Sequence, residues 1–121
     1  MERNILYEDN HIIVCVKPSG VLSQGGDLSK PNMVDLLKKY LKETYDKPGN
    51  VYLGLVHRLD VNVGGVMVFA KTSKAAKRLS EQVKAHTMQK QYLAIVKGNF
   101  EKRRMILEPP ISPTINGVNL L

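Results

Sequence analysis

The chain has 121 residues, of which 43% are hydrophobic and 24% charged, and a formal charge of +7. That size holds one domain with a core of its own, and the composition excludes a disordered chain. A single cysteine and no run of ~18 to 20 apolar residues argue against a disulfide scaffold and a membrane span, and the opening Met1-Glu2-Arg3-Asn4, without a basic-then-apolar build, leads us to expect no signal peptide.

In chain order, Ile5 to Asn10 and His11 to Val16 read as a strand, a polar turn and a second strand. Cys15 packs inside the second as a small hydrophobe. Lys17-Pro18-Ser19-Gly20 ends it, because proline lacks a donor and glycine frees the backbone. Ser23 to Lys30, polar and glycine-bearing, reads as a surface loop. Asn32 can cap a helix whose apolar positions Met33, Leu36, Leu37, Tyr40 and Leu41 recur at helical spacing. Asp35 lies near its positive end. Lys47-Pro48-Gly49-Asn50 closes the connection that follows.

Two short apolar runs come next, Tyr52 to Val56 and Val66 to Ala70, both read as buried strands. Thr72 or Ser73 can cap a second helix reaching about Ala85, with Ala76, Leu79 and Val83 as its inner stripe. Lys90 to Val96 reads as a further strand, ended by Gly98. Residues 105–121 contain Pro109, Pro110, Pro113 and an Asn116-Gly117 turn signal without either period, and read as an irregular tail. The pattern predicts an α+β domain over residues 1–121, a mixed and mainly antiparallel sheet with helices packed against it.

Charge is unevenly placed. Residues 1–70 hold eight basic and eight acidic side chains, whereas residues 71–104 hold ten basic and two acidic ones. A concentrated positive field suits a polyanion such as nucleic acid; a solvated lysine-rich helix gives the same count. One thiol and no leader predict a reducing, cytoplasmic setting, with no membrane as partner.

Between the two apolar runs lies His57-Arg58-Leu59-Asp60, followed by Gly64-Gly65. The segment must leave the interior and return to it, and loops held by rigid strands carry catalytic groups. Read from its surroundings alone, an aspartate in such a turn usually serves the backbone, with Arg58 as its ion-pair partner. The clustering of His57, Arg58 and Asp60 at a strand exit and the glycines beside them favour a functional role. His11, His57 and His86 have no zinc-ligand spacing, and neither a serine elbow nor a phosphate-cradling loop is present. Tyr92, beside Lys90, reads on its own as a packed aromatic rather than a catalytic one.

Three ordered motifs carry a specific resemblance. His57-Arg58-Leu59-Asp60 with Gly65 and Ala70-Lys71-Thr72, the opening Ile5 to Asp9 with Val16-Lys17-Pro18-Ser19-Gly20, and Lys90 to Gly98 together resemble the ribosomal-large-subunit type A (RluA-like) pseudouridine synthases. The loop departs from that family's pattern at Val63 and Gly64, where threonine and serine are usual. The resemblance implies isomerisation of uridine to pseudouridine in ribosomal or transfer RNA, without cofactor or metal.

By that likeness Asp60 is the nucleophile or base acting on the nucleoside, Tyr92 is catalytic too, packing under the target base and assisting proton removal from C5, and Arg58 fills the gap left by the extruded nucleotide. His57, Leu59, Lys71 and Lys90 would contact the RNA. Stacking worth roughly 1–3 kcal/mol per base would offset an extrusion cost of a few kcal/mol. The family's catalytic domain continues for about as long again, and nothing after Gly98 carries the resemblance. The chain therefore reads as the front portion of an incomplete catalytic domain. A catalytically inactive RNA-binding module is the alternative, and a homodimer formed through an unfinished sheet edge is a further expectation.

Overall fold

A computed structural model of the chain describes residues 2–26, 28–95, 97–98, 114–115 and 118–119. Its packing divides into two compact units, Met1–Gln89 and Lys90–Leu121. In the first unit a 3-10 turn, Glu2–Asn4, leads into strands β1 (Ile5–Glu8) and β2 (Ile12–Lys17). Helix α1 (Met33–Thr44), strands β3 (Gly54–Leu55) and β4 (Gly65–Ala70) and helix α2 (Ser73–Lys84) follow. The four strands form one antiparallel sheet in the order β1-β2-β4-β3.

Register along the β2–β4 ladder runs from Ile12 opposite Ala70 to Lys17 opposite Gly65. Because side chains alternate between faces, Ile13, Cys15, Met67 and Phe69 share one face, all fully buried. Met33, Leu37 and Leu41 of α1 complete that core at helical spacing. The Asn32 side chain caps α1, accepting from the Asp35 N–H at 2.9 Å. Helix α2 is capped the same way by Thr72, which accepts from the Ala75 N–H at 3.1 Å. It meets the opposite face of the sheet, where a Cβ added at Gly54 would lie 3.0 Å from Ala76 Cβ and 3.2 Å from Ala70 Cβ. Glycine at position 54 is what lets helix and strand approach so closely.

The hairpin turn is built on one carboxylate. Asp9 Oδ1 accepts from the His11 and Ile12 N–H groups at 2.7 and 2.9 Å, and Oδ2 accepts from the Tyr7 hydroxyl at 2.8 Å. These bonds, the one from Ile12 foremost, hold the Asp9 carboxyl down to about 2 from an ordinary 3.8. Next to it, Glu8 accepts from Tyr40, Tyr45 and Lys71. Burial pushes the Glu8 carboxyl up, but those three bonds and the Lys71 charge outweigh it, leaving it below its ordinary value. A carboxyl depressed by folding contributes stability above its unfolded pKa and loses it as pH falls through the folded one. The melting temperature is therefore expected to fall between about pH 4 and about 2 as these groups protonate. Asp9→Asn should flatten that slope, and a calorimetric pH series with an unchanged slope would remove Asp9 from the turn's energetics.

Several expectations are corrected. The run Tyr52 to Val56 pairs only at Gly54 and Leu55, because the chain then turns away from β4. The buried member of α2 is Ala75; Ala76, Leu79 and Val83 are half-buried, since the helix covers only the end of the sheet. Ser23 is buried rather than on a surface loop. In the second unit, residues 90–95 form no strand, although their pattern spells one. A strand exists only with a paired neighbour, and no ladder among the described residues includes them; Val96 lies outside the described residues. The tail read as irregular holds a short antiparallel pair, β5 (Thr114–Ile115) with β6 (Val118–Asn119). Residues 102–104 and the tail prolines lie outside the described residues.

Candidate active site

Asp60 stands exposed on the loop that joins β3 to β4. Its carbonyl accepts from the Val63 N–H at 2.9 Å, closing a four-residue turn at the loop's tip. Further bonds to this loop come from the segment after β2. The Gly20 N–H donates to the Val61 carbonyl at 2.7 Å, and Gly20 holds a φ of +91, which glycine adopts without strain. Ser19 Oγ donates to the Asn62 carbonyl at 3.0 Å. The buried Ser23 hydroxyl does two jobs on one residue, accepting from the Leu59 N–H at 2.9 Å and donating to the Leu59 carbonyl at 2.7 Å.

Lys17 is the unusual member of this cradle. It occupies a core-facing position of β2 and is fully buried. Its Nζ donates to the carbonyls of Val21 at 2.6 Å, Pro18 at 3.1 Å and Val61 at 3.3 Å. An ammonium has three N–H donors, and here each meets a carbonyl oxygen. Burial lowers the Lys17 pKa, and the nearby Asp60 carboxylate pulls it back up. Asp60 is therefore tied through its own loop backbone to a cation that the interior would otherwise disfavour.

The other residues singled out by sequence divide by location. His57, half-buried, accepts the Val68 N–H of β4 on Nε2 at 3.1 Å. Its imidazole thereby takes the ladder position that β3 vacates after Leu55, which is a structural job that spacing could not reveal. Leu59 packs against the core and anchors the loop, while Arg58 points to solvent. Lys71 lies just past the far end of β4, with its side chain only 10% exposed. Its Nζ pairs with Glu8 Oε2 at 2.6 Å, donates to the Asp9 carbonyl at 2.7 Å and sits 4.9 Å over the Tyr45 ring. In this structure it forms an internal ion pair that joins the end of β4 to β1. Lys90 and Tyr92 belong to the second unit, where both are exposed, the Tyr92 residue by 59%.

Sequence reasoning missed Lys17, Ser19 and Ser23 as site residues. The one available signal was the Lys17-Pro18-Ser19-Gly20 turn, which reads as punctuation until Val61 is seen against it. Among the described residues no group of three or more His, Cys, Asp or Glu side chains is arranged to hold a metal ion.

Comparison with known proteins gives a consistent result. A family model described as RNA pseudouridylate synthase matches residues 11–117, past Gly98 where the motif resemblance stops. The chain is 37% identical over 111 residues to the ribosomal large subunit pseudouridine synthase C of Escherichia coli (strain K12), covering 92% of this chain and 33% of that protein. It is 33% identical over 111 residues to the protein of that description from Pasteurella multocida (strain Pm70), covering 92% and 32%. Among solved structures, human RNA pseudouridylate synthase domain containing 4 superposes with a TM-score of 0.59 at 29% identity, covering 71% of this chain and 31% of that one. The chain thus spans about a third of the length of the curated relatives it matches.

Proposed function

The chain belongs to the RNA pseudouridylate synthase family, and from that premise we propose that it carries the catalytic aspartate of an enzyme converting uridine to pseudouridine in RNA. The relatives' names point to ribosomal large-subunit RNA as the substrate; transfer RNA is a second candidate. The observation that carries this reading is Asp60, exposed at the tip of a loop whose backbone is bonded to a buried cradle.

Isomerisation needs the uracil detached from its sugar, turned and rejoined through carbon. No group is gained or lost, so positioning and charge stabilisation carry the catalysis. Asp60 acts on the nucleoside from a fixed turn. It is exposed in the free protein, and an RNA laid over the loop would expel the surrounding water and strengthen its electrostatic effect. Arg58, free in solvent beside it, suits the space vacated by an extruded nucleotide, since a guanidinium plane can stack on the neighbouring bases. Tyr92 is proposed as the platform under the flipped base, and Lys90 as a phosphate contact. His57 and Leu59 serve the reaction by fixing the loop rather than by touching RNA.

A second reading, an RNA-binding piece without turnover, is favoured by the chain's one-third coverage of its relatives and by its basic segment. Chemical mapping of pseudouridine in ribosomal RNA and transfer RNA incubated with this polypeptide separates the two. New pseudouridine at defined positions is the expected outcome. RNA binding with no modification would favour the second reading.

A further inference from the structure

At the other end of the sheet from Asp60, a cleft of about 320 Å³ opens between the β1–β2 turn and α2. Its floor is apolar, made by Ile12, Ala75 and Leu79, and its rim carries His11, Lys74, Arg78 and Gln82. Lys74 and Arg78 are four residues apart on α2 and therefore lie on one face of the helix. The one carboxylate in the cleft, Asp9, has both oxygens engaged by its own turn. Neither Lys74 nor Arg78 forms an ion pair among the described residues. Two unpaired cations above an apolar floor match the two faces of a nucleotide, its phosphate and its base. The cleft also opens the most basic stretch of the chain, residues 71–104.

We propose that this cleft is a second RNA contact, holding a nucleotide of single-stranded RNA that lies outside the target uridine. The β2 strand separates it from the Asp60 cradle: Ile12 lines the cleft and Lys17 the cradle. Five residue steps at ~3.4 Å each put Ile12 and Lys17 about 17 Å apart along β2, with their side chains on opposite faces of the sheet. The proposal rests on the RNA-binding half of the function proposed above and not on its chemistry.

Fluorescence anisotropy of a labelled single-stranded RNA with the full 121-residue chain tests it, across a potassium chloride series. K74Q/R78Q should weaken binding about tenfold, and the log K against log salt line should become shallower by about 1.4, at ~0.7 for each phosphate no longer neutralised. K38Q/K39Q removes the same charge from exposed positions of α1 and should change affinity less than about twofold. Ultraviolet crosslinks should fall in the peptide spanning Lys74 and Gln82, and circular dichroism melts check that each variant is folded.

Wild-type affinity and slope in K74Q/R78Q would overturn the proposal. So would equal losses in both double variants, which indicate a diffuse field, or an absence of RNA binding. Displacement of the RNA by uridine monophosphate at a comparable concentration would make this a free-nucleotide site and overturn the RNA assignment. Loss of binding in K74Q/R78Q without pseudouridine formation by the wild type sinks the chemistry alone. Turnover with binding untouched by K74Q/R78Q sinks the cleft alone.

Discussion

Asp60→Asn is expected to reduce pseudouridine formation by about a thousandfold or more, while RNA affinity stays within about threefold of wild type. The substitution keeps the side chain's shape, and the loop does not depend on the carboxylate. Its tip is closed by the Asp60 carbonyl, and its flanks are held through the backbone of Leu59, Val61 and Asn62. What changes is the reacting group, since an amide is neither a nucleophile nor a base of useful strength. A thousandfold loss corresponds to about 4 kcal/mol of transition-state stabilisation, ordinary for removal of a group acting on the bond being broken. Rates are to be read under single-turnover conditions, so that binding and chemistry separate. A variant within tenfold of wild type would remove Asp60 from the mechanism.

The second large effect is expected at Lys17. Methionine matches the length of the lysine stem but has no ammonium, so Lys17→Met removes a donor from three carbonyls: Val61 keeps the Gly20 N–H and Pro18 the Val21 N–H, while Val21 loses its donor. Buried acceptors left unmade cost about 1–3 kcal/mol, and breaking a buried charged network costs about 3–5 kcal/mol. Loss of about 3 kcal/mol in a urea unfolding series is expected, offset in part because burial of the charge itself is relieved. Arginine should not rescue it, because a planar fork cannot point its donors at three carbonyls converging on one nitrogen. Lys17 is a positioning residue: its bond to Val61 fixes the backbone next to Asp60. In the same variant the maximal rate should fall more than RNA affinity, which a purely global loss of stability would not produce. A destabilisation under about 1 kcal/mol would mean that the cradle is held by Ser19, Gly20 and Ser23 alone.

The order of elements was readable because local rules and tertiary context agree. Asn32 and Thr72 announce their helices as caps, since a short side-chain acceptor satisfies orphan N–H groups wherever the helix later packs. The apolar runs of β2 and β4 announce strands because one face of the middle of the sheet is fully buried and the other is partly covered. Agreement fails where a strand's existence depends on a distant partner. Residues 90–95 carry the apolar and aromatic composition of a strand, yet Leu93 and Ile95 are fully exposed.

At the site itself, the motif His57-Arg58-Leu59-Asp60 identified the family and the candidate acid. It could not tell which of its members face inward and which face solvent. His57 and Leu59 face inward to serve the fold, whereas Arg58 and Asp60 remain outside. That division follows from where β3 leaves the ladder, a question of which N–H groups of β4 lack a backbone partner. Lys71 shows the same limit. Its place in a basic stretch suggested RNA, but β1 and α1 bring Glu8, Tyr40 and Tyr45 together around it.

Family, sheet class and the candidate acid are thus written locally, in residue types and short spacings that mean the same thing in any context. The support of that acid is not, because Lys17 and Val61 are forty-four positions apart in the chain. Folding brings them within one hydrogen bond, and burial turns an ordinary surface residue type into the cation that holds the loop.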